Sequence, residues 1–375
     1  MNILFVLAGL LILLAVEAAV YGRMWPKGMK ASVRFDQSRA VEGDTVELCQ
    51  VVEYTGRLPL PWVRVKFQIS KDITIPDTTN SSVTDRYTRE DIFFVGRMEK
   101  VTRRLPVVCD RRGQHRVFSV DAVSSDLFHV RKLVAGFGGD QGITVYPRRT
   151  NIPEITDAAH QLIGEHIVRR SRMEDPFMFR GVREYVPGDP LSSINWRATA
   201  RTGELAVNQY EHTSDLCVSV WLGIEEHNDR RDHELDEESI RIAATLVGTF
   251  IDEGIPVALC SNGRDCFTEG VVRVGHGSSQ EHKDTCLTAL ARLDIEKDAQ
   301  SMTEFVRSIP RSSNDSELVI VVSSDVNDRV CEAVSAFTAD RELLWIVPVR
   351  YDEESEIPML KKIKNSCVWR VVCER

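Results

Sequence analysis

Residues 216–222 read Leu-Cys-Val-Ser-Val-Trp-Leu, an apolar run with one small polar interruption. A strand with one wet face alternates apolar and polar residues, whereas a short continuous run fits a strand buried on both faces. Similar runs follow at residues 255–260, 318–322, 343–349 and 368–372. The segments between them carry apolar residues at helical spacing. Ile240, Ala243, Ala244, Val247, Phe250 and Ile251 form one stripe, with Asp236, Glu237 and Glu238 at the end where a helix dipole favours acids. Met302, Phe305, Val306 and Ile309 form a second, opened by Ser301 and Glu304 at capping-box spacing. Leu287, Leu290 and Leu293 mark a third, and Val330, Val334 and Phe337 a fourth. Buried strands alternating with helices predict a parallel sheet covered on both faces, a doubly wound α/β domain. Residues 266–274 add an antiparallel edge strand to that expectation.

The stretch just before this domain, residues 175–211, is dense in groups that need partners. It holds Arg180, Arg183, Arg197 and Arg201, the acids Glu184 and Asp189, and the apolar anchors Ile194 and Trp196. Pro187-Gly188 is a turn signal, since proline presets φ and glycine accepts φ > 0. The Asp189 carboxylate, next in sequence, suits backbone N–H donors or an arginine fork, and the Trp196 ring offers a guanidinium a face. Two readings stand. In one the arginines pair with Glu184 and Asp189 as an internal clasp; in the other the stretch is a surface that grips an acidic partner.

The pattern Gly181-x-Arg183-Glu184-Tyr185-x-Pro187-Gly188-Asp189, followed by Ile194-Asn195-Trp196 and Ala200-Arg201, resembles the signature of a bacterial family. That family is domain-of-unknown-function family fifty-eight, the MoxR-associated proteins with a von Willebrand factor A-like domain. A looser resemblance extends over nearly the whole chain. It takes in an N-terminal membrane anchor, the element Leu58-Pro59-Leu60-Pro61-Trp62, a strand end Val145-Tyr146-Pro147-Arg148 and the α/β C-terminal part. The resemblance implies a von Willebrand factor A-like fold for that part. It also implies a MoxR-type AAA+ ATPase as partner and a chaperone-like role in assembling or activating protein clients. Arg183, Tyr185, Asp189, Asn195, Trp196 and Arg201 are the candidate partner-binding residues, as the contact itself or as the clasp that shapes it.

At the other end of the chain, residues 3–16 are apolar or glycine, and the run continues past Glu17 through Ala18, Ala19 and Val20. At ~1.5 Å per residue, residues 3–21 make a helix of roughly 29 Å, about one hydrocarbon thickness. A cleaved signal peptide is the rival reading, but no basic side chain precedes the run. Arg23, Lys27, Lys30 and Arg34 follow it instead, so the positive-inside rule places the bulk of the chain in the cytoplasm.

Residues 31–148 read as β structure. Val63, Val65, Phe67 and Ile69 alternate with Arg64, Lys66 and Gln68; Phe118, Val120 and Ala122 alternate with Ser119 and Asp121. Turn signals at Glu42-Gly43-Asp44, Thr55-Gly56, Arg112-Gly113 and Gly138-Gly139 separate short strands, which predicts a sandwich. Residues 153–173 read as a connecting helix, with Ile155, Ala158, Ala159, Leu162, Ile163 and Ile167 at helical spacing. The expected organisation is therefore an anchor over residues 1–22, a β-sandwich-like domain over 31–150, a linker helix and signature over 151–211, and the α/β domain over 212–375.

Composition narrows the function classes. The chain has 375 residues, 43% of them hydrophobic and 27% charged, as in an ordinary globular protein. A net charge of −9 argues against nucleic acid as a partner. Nine cysteines without a C-x-x-C, several in apolar runs, suit buried thiols in a reducing compartment. No phosphate-binding loop, G-x-S-x-G elbow or H-E-x-x-H occurs.

A von Willebrand A-type domain often holds a divalent cation through an Asp-x-Ser-x-Ser run after its first strand. Here Gly223 stands where the aspartate belongs, and Glu225 and His227 where the serines belong. Ser323, Ser324 and Asp325 offer oxygens after a later strand, but the set lacks its first aspartate. No catalytic residue, metal or cofactor is therefore assigned, and a non-enzymatic interaction protein is the leading expectation. The alternative is a metal-assisted or cysteine-dependent hydrolase at the membrane. The histidines and the acidic stretch from Glu225 to Glu238 are expected to be solvated.

Overall fold

The computed structural model describes residues 2–56, 60, 62–126, 128–129, 131–139, 141–170, 179–186, 191–210, 216–225, 232–310, 317–339, 341–350 and 365–371. It is a mixed α/β chain with several sheets and an apolar N-terminal helix. Two compact units divide it, Met1–Arg148 with Leu290–Arg292, and Arg149–Ala289 with Leu293–Arg375.

In the first unit, α1 (Asn2–Gly28) passes straight into β1 (Met29–Phe35). Then come β2 (Arg39–Val41), β3 (Thr45–Tyr54), β4 (Val63–Ile69), β5 (Ile73–Thr74), β6 (Ser81–Val83), β7 (Tyr87–Phe93), β8 (Glu99–Cys109), β9 (Gly113–Ser125), β10 (Lys132–Gly138) and β11 (Gly142–Tyr146). One sheet is ordered β1-β3-β8-β5. The other is ordered β2-β11-β9-β4-β7-β6, with β10 pairing β9. Gly43 takes φ 93° in the turn between β2 and β3, a conformation side chains resist.

Leu48, Val52, Val63, Val65, Phe67, Ile69, Val107 and Val120 form one core between the sheets, joined by Tyr21 and Trp25 of α1. An ionic cluster also crosses it. Asp91 of β7 accepts from Arg89 Nε at 2.9 Å and Gln50 Nε2 of β3 at 2.7 Å, and Arg103 of β8 lies 3.2 Å away. A buried carboxylate needs such partners.

The alternation in β4 is as expected, but Phe118 is not a core residue. The register of β4 on β9 shifts between Gln68 and Ile69, which brings Val117 inward opposite Ile69. Phe118 is left between the guanidinium groups of Arg86 and Arg116, at 4.0 and 4.9 Å from its ring centroid.

The second unit starts with α2 (Pro153–Arg170), followed by β12 (Phe179–Glu184), α3 (Trp196–Thr202) and β13 (Ala206–Tyr210). Beyond them lie β14 (Cys217–Leu222), α4 (His233–Asp252), β15 (Val257–Asp265), β16 (Val271–Gly277), α5 (Gln280–Arg292), β17 (Leu293–Asp294), α6 (Met302–Ser308), β18 (Glu317–Val322), α7 (Asp328–Phe337), β19 (Glu342–Arg350) and β20 (Ser366–Val371). The large sheet is ordered β16-β15-β14-β18-β19-β20. Its strands pair in parallel except β16 and the short β17, which both run antiparallel along β15.

Every residue of β14 and β18 is buried. On one face Trp221, Val319, Val321, Trp345 and Val347 pack with α6 and α7. The intervening Val218, Val220, Leu222, Ile320 and Ile346 are buried too, and α4 lies against β14, β15, β18 and β19. The expected α4 stripe from Ile240 to Ile251 is buried throughout, and Asp232 caps the helix by accepting from Glu234 N–H at 3.0 Å.

Several local expectations are corrected. Ser301 stands at the N-cap of α6 but makes no side-chain cap bond; its carbonyl alone serves, accepting from Phe305 N–H at 2.9 Å. Leu293 ends the helical run and pairs with Asp265 as a strand residue. Asp236 and Glu238 are buried rather than solvated. Asp236 accepts from Glu225 N–H at 3.3 Å, and Glu238 pairs with Arg241 at 3.0 Å.

Buried His115 gives the first unit a pH response. Its Nε2–H donates to the Arg111 carbonyl at 2.9 Å, and burial pushes its pKa below the ordinary 6.5. The unfolded chain therefore binds the proton first, and stability falls as pH drops through about 6.5 toward the folded value. Denaturant titrations of the full chain between pH 7.5 and 5.5 should show this loss, and His115→Gln should make the pH dependence shallower.

Candidate functional site

The signature stretch folds as a small hairpin module. β12 and β13 pair antiparallel from Glu184↔Ala206 to Phe179↔Tyr210, and among the described residues the chain between them supplies a 3-10 turn (Leu191–Ser193) and α3. Tyr185 donates its backbone N–H to Leu205 at 2.9 Å, and Ile194 is buried in a bridge to Val207.

Asn195 is the keystone of the module. Its Oδ1 caps α3 by accepting from Ala198 N–H at 2.9 Å, its Nδ2 donates to Asn208 Oδ1 at 2.7 Å, and its backbone N–H donates to Ala206 at 2.8 Å. At the far end, Gly203 closes α3 in the left-handed region, at φ 79°.

The side chains left outside are unusual for a surface. Trp196 is 69% exposed and Leu191 72%, and Val182, Val186 and Leu205 are exposed as well. Arg183, Arg197 and Arg201 are exposed among them. Arg183 Nη1 donates to the Glu184 carbonyl at 3.0 Å. Of the candidate residues, Arg183, Tyr185, Asn195, Trp196 and Arg201 belong to this module, while Asp189 lies outside the described residues.

The carboxyl edge of the parallel sheet is the other expected location, because strand order reverses there between β14 and β18. Asn262 braces it, accepting from Ile224 N–H at 2.7 Å and donating to the Ile224 and Gln300 carbonyls, both at 2.8 Å. Asp325 receives Asn327 Nδ2 at 2.8 Å, and Asn327 in turn caps α7. A Cβ at Gly223 would meet Ser323 Oγ at 2.5 Å and Ser323 Cβ at 2.7 Å. No carboxylate side chain fits at 223 unless Ser323 moves. Among the described residues no group of three or more His, Cys, Asp or Glu side chains is placed to hold a metal ion. His227 lies outside those residues.

Sequence reasoning missed a polar cluster at the opposite edge. Ser219 of β14 donates its hydroxyl to Glu317 Oε1 of β18, and His276 Nε2 of β16 lies 3.2 Å from Ser219 Oγ. Arg341 completes the cluster, 2.9 Å from Glu317 Oε2. His276 is therefore a strand residue engaged by this cluster, though still solvent-exposed, and desolvation of its ring pushes its pKa down while Glu317 opposes the shift. The serine proton is committed to the carboxylate, so the imidazole donates to the serine. A relay that activates serine needs the imidazole between serine and acid. The nearby thiols are also quiescent, since burial lifts Cys260 to about 11 and Cys286 to about 12.

The molecule is thus a mixed α/β protein with an apolar N-terminal helix, a strand-rich unit and a mostly parallel sheet preceded by an arginine- and tryptophan-bearing hairpin. Residues 181–365 match the family model described as "Protein of unknown function DUF58", and the chain belongs to that family. It is 22% identical over 239 residues to the uncharacterized protein YeaD of Bacillus subtilis (strain 168), covering 64% of this chain and 57% of YeaD. The chain thus spans little more than half the length of that relative.

Among solved structures, a cohesin module of a Clostridium perfringens family 33 glycoside hydrolase matches at 7% identity and TM-score 0.25, covering 32% of this chain and 98% of the module. The sixth cohesin of Acetivibrio cellulolyticus scaffoldin B matches at 10% identity and TM-score 0.22, covering 31% and 98%. Likenesses this slight carry no argument about fold or function.

Two substitutions test this geometry. Asn195→Ala should cost about 1 kcal/mol of local stability through the lost cap, read as faster amide hydrogen exchange in α3. Gly223→Ala should destabilise the second unit by about 1–3 kcal/mol through overpacking against Ser323, read in denaturant titration.

Proposed function

We propose that this chain is a membrane-anchored, non-enzymatic interaction and assembly factor that works with a MoxR-type AAA+ ATPase on protein clients. The observation that carries this reading is the hairpin module, where exposed Trp196, Leu191 and Val186 stand among exposed Arg183, Arg197 and Arg201. Aromatic and arginine side chains are the usual anchors of protein interfaces, and the arginines favour a partner with an acidic contact surface. The ATPase as partner follows from the family resemblance, and the energy for assembly would then be the partner's nucleotide.

The strand order of the large sheet, with its antiparallel β16 at one edge, supports a doubly wound domain of von Willebrand factor A type. In this chain its carboxyl rim, braced by Asn262 and closed at Gly223, serves as a protein-binding edge. The anchor is α1, whose Phe5–Trp25 segment is long and apolar enough to cross a membrane. The basic residues that follow it support a cytoplasmic location for the rest. A metal-assisted or cysteine-dependent hydrolase has less support, given the raised thiol pKa values of Cys260 and Cys286.

Arg183→Ala and Trp196→Ala should each weaken capture of the ATPase by about 30-fold, the effect of losing ~2 kcal/mol at an interface anchor. Both variants should keep the wild-type unfolding transition. Undiminished capture by both variants would sink the contact reading. Unfolding of both would make the module an internal clasp.

A further inference from the structure

The strand register brings three connections of the first unit to the end where α1 enters. Met29, the first residue of β1, lies opposite Tyr54, the last of β3, and Tyr54 lies opposite Glu99, the first of β8. In the other sheet Val63, the first residue of β4, lies opposite Phe93, the last of β7. Arg64 beside it pairs with Val123 near the end of β9, and Ser125 pairs with Lys132 at the start of β10. The β3–β4, β7–β8 and β9–β10 connections therefore all leave from that one end.

Two of these connections present apolar side chains outward. In the β7–β8 tip Phe94 is 77% exposed and Met98 74%, and in the β9–β10 turn Phe128 is exposed. The acids of both turns are turned to internal use. Glu99 Oε2 accepts the Gly96 N–H, and Asp126 Oδ2 accepts the Arg131 N–H at 3.0 Å. Arg97, Lys100, Arg131 and Lys132 are left exposed, with Arg23 on α1.

α1 itself fixes the height of these tips. Its residues from Phe5 to Leu13 are exposed on every side, whereas Tyr21 and Trp25 are buried against the sandwich. Gly22 lies so close to Arg131 that an added Cβ would fall 2.8 Å from Nη1. The β9–β10 turn thus flanks the last two helical turns of α1, which rise ~9 Å from Gly22 to Gly28 at ~1.5 Å per residue. Gly28 is followed at once by a strand residue, so no linker separates helix from sandwich.

We infer that this end of the sandwich is a lipid-contacting face, with Phe94, Met98 and Phe128 seated in the interfacial layer of the bilayer that α1 crosses. Aromatic and apolar tips ringed by cations match that layer, where acyl chains meet anionic headgroups. The inference rests on the reading of α1 as a membrane anchor and adds a second, peripheral attachment.

The test places the photoreactive residue benzoylphenylalanine singly at Phe94, Met98, Phe128, Leu10 or Val83 of the full chain. Each replaced side chain is exposed, and Val83 lies in the β6–β7 hairpin at the opposite end of the strands. The proteins are reconstituted in vesicles of phosphatidylcholine and phosphatidylglycerol at about three to one. Irradiation should give lipid adducts at 94, 98 and 128 at yields about tenfold above position 83. Adducts at Leu10 with none above the Val83 level at the three tips would overturn the inference and leave the anchor standing. Absence of adducts at Leu10 as well would remove the anchor and the inference with it. Tip adducts to a second copy of the chain would make this end a self-association surface and equally overturn the inference.

Discussion

Burial of β14 and β18 on both faces is the constraint from which the second unit follows. A strand with no wet side needs cover above and below. The chain supplies it by returning through α4 against one face and through α6 and α7 against the other. That demand sets the strand order, and the order sets where the chain reverses between β14 and β18. The carboxyl edge at that reversal is filled by backbone and amide groups around Asn262 and by the contact of Gly223 with Ser323. Tight closure leaves the exposed hairpin before the sheet as the more accessible place for contact.

Features written in short-range periodicity were legible in advance. The α4 stripe, the apolar runs of β14 and β18 and the alternation in β4 each depend on residues a few positions apart, and all are buried where their spacing puts them; the run at 368–372 is the exception, with Val368 48% exposed at the sheet edge. What escaped depends on pairing across long separations. Phe118 and Val120 share a parity, yet one residue of register shift against β4 exchanges Phe118 for Val117 in the core. Leu293 continues a leucine repeat, yet an opening beside Asp265 draws it into a sheet. The burial of Asp236 and Glu238 is hidden in one dimension, where they read as a charged loop, because it comes from α4 packing on the sheet and from Trp369, which approaches Glu238 from the far end of the chain.

The candidate site was legible in a different way. The signature named the residues of the hairpin module, and Asn195, Trp196 and the arginines belong to it. Which of them builds and which displays was not legible. Asn195 spends both ends of its amide on structure, whereas the Trp196 ring stays outside. The cluster of Ser219, His276 and Glu317 had no signal at all, since its members are scattered across the chain and meet only through the sheet.

The passage from Gly28 to Met29 without an intervening loop also has a mechanical meaning. A hinge lets a tethered body swivel; a helix that becomes a strand, with Tyr21 and Trp25 wedged at the joint, acts as a lever arm. Any lean or axial rotation imposed on α1 is handed on to the β-sheets as a rigid-body rotation. Whatever grips that helix dictates which way the sandwich looks.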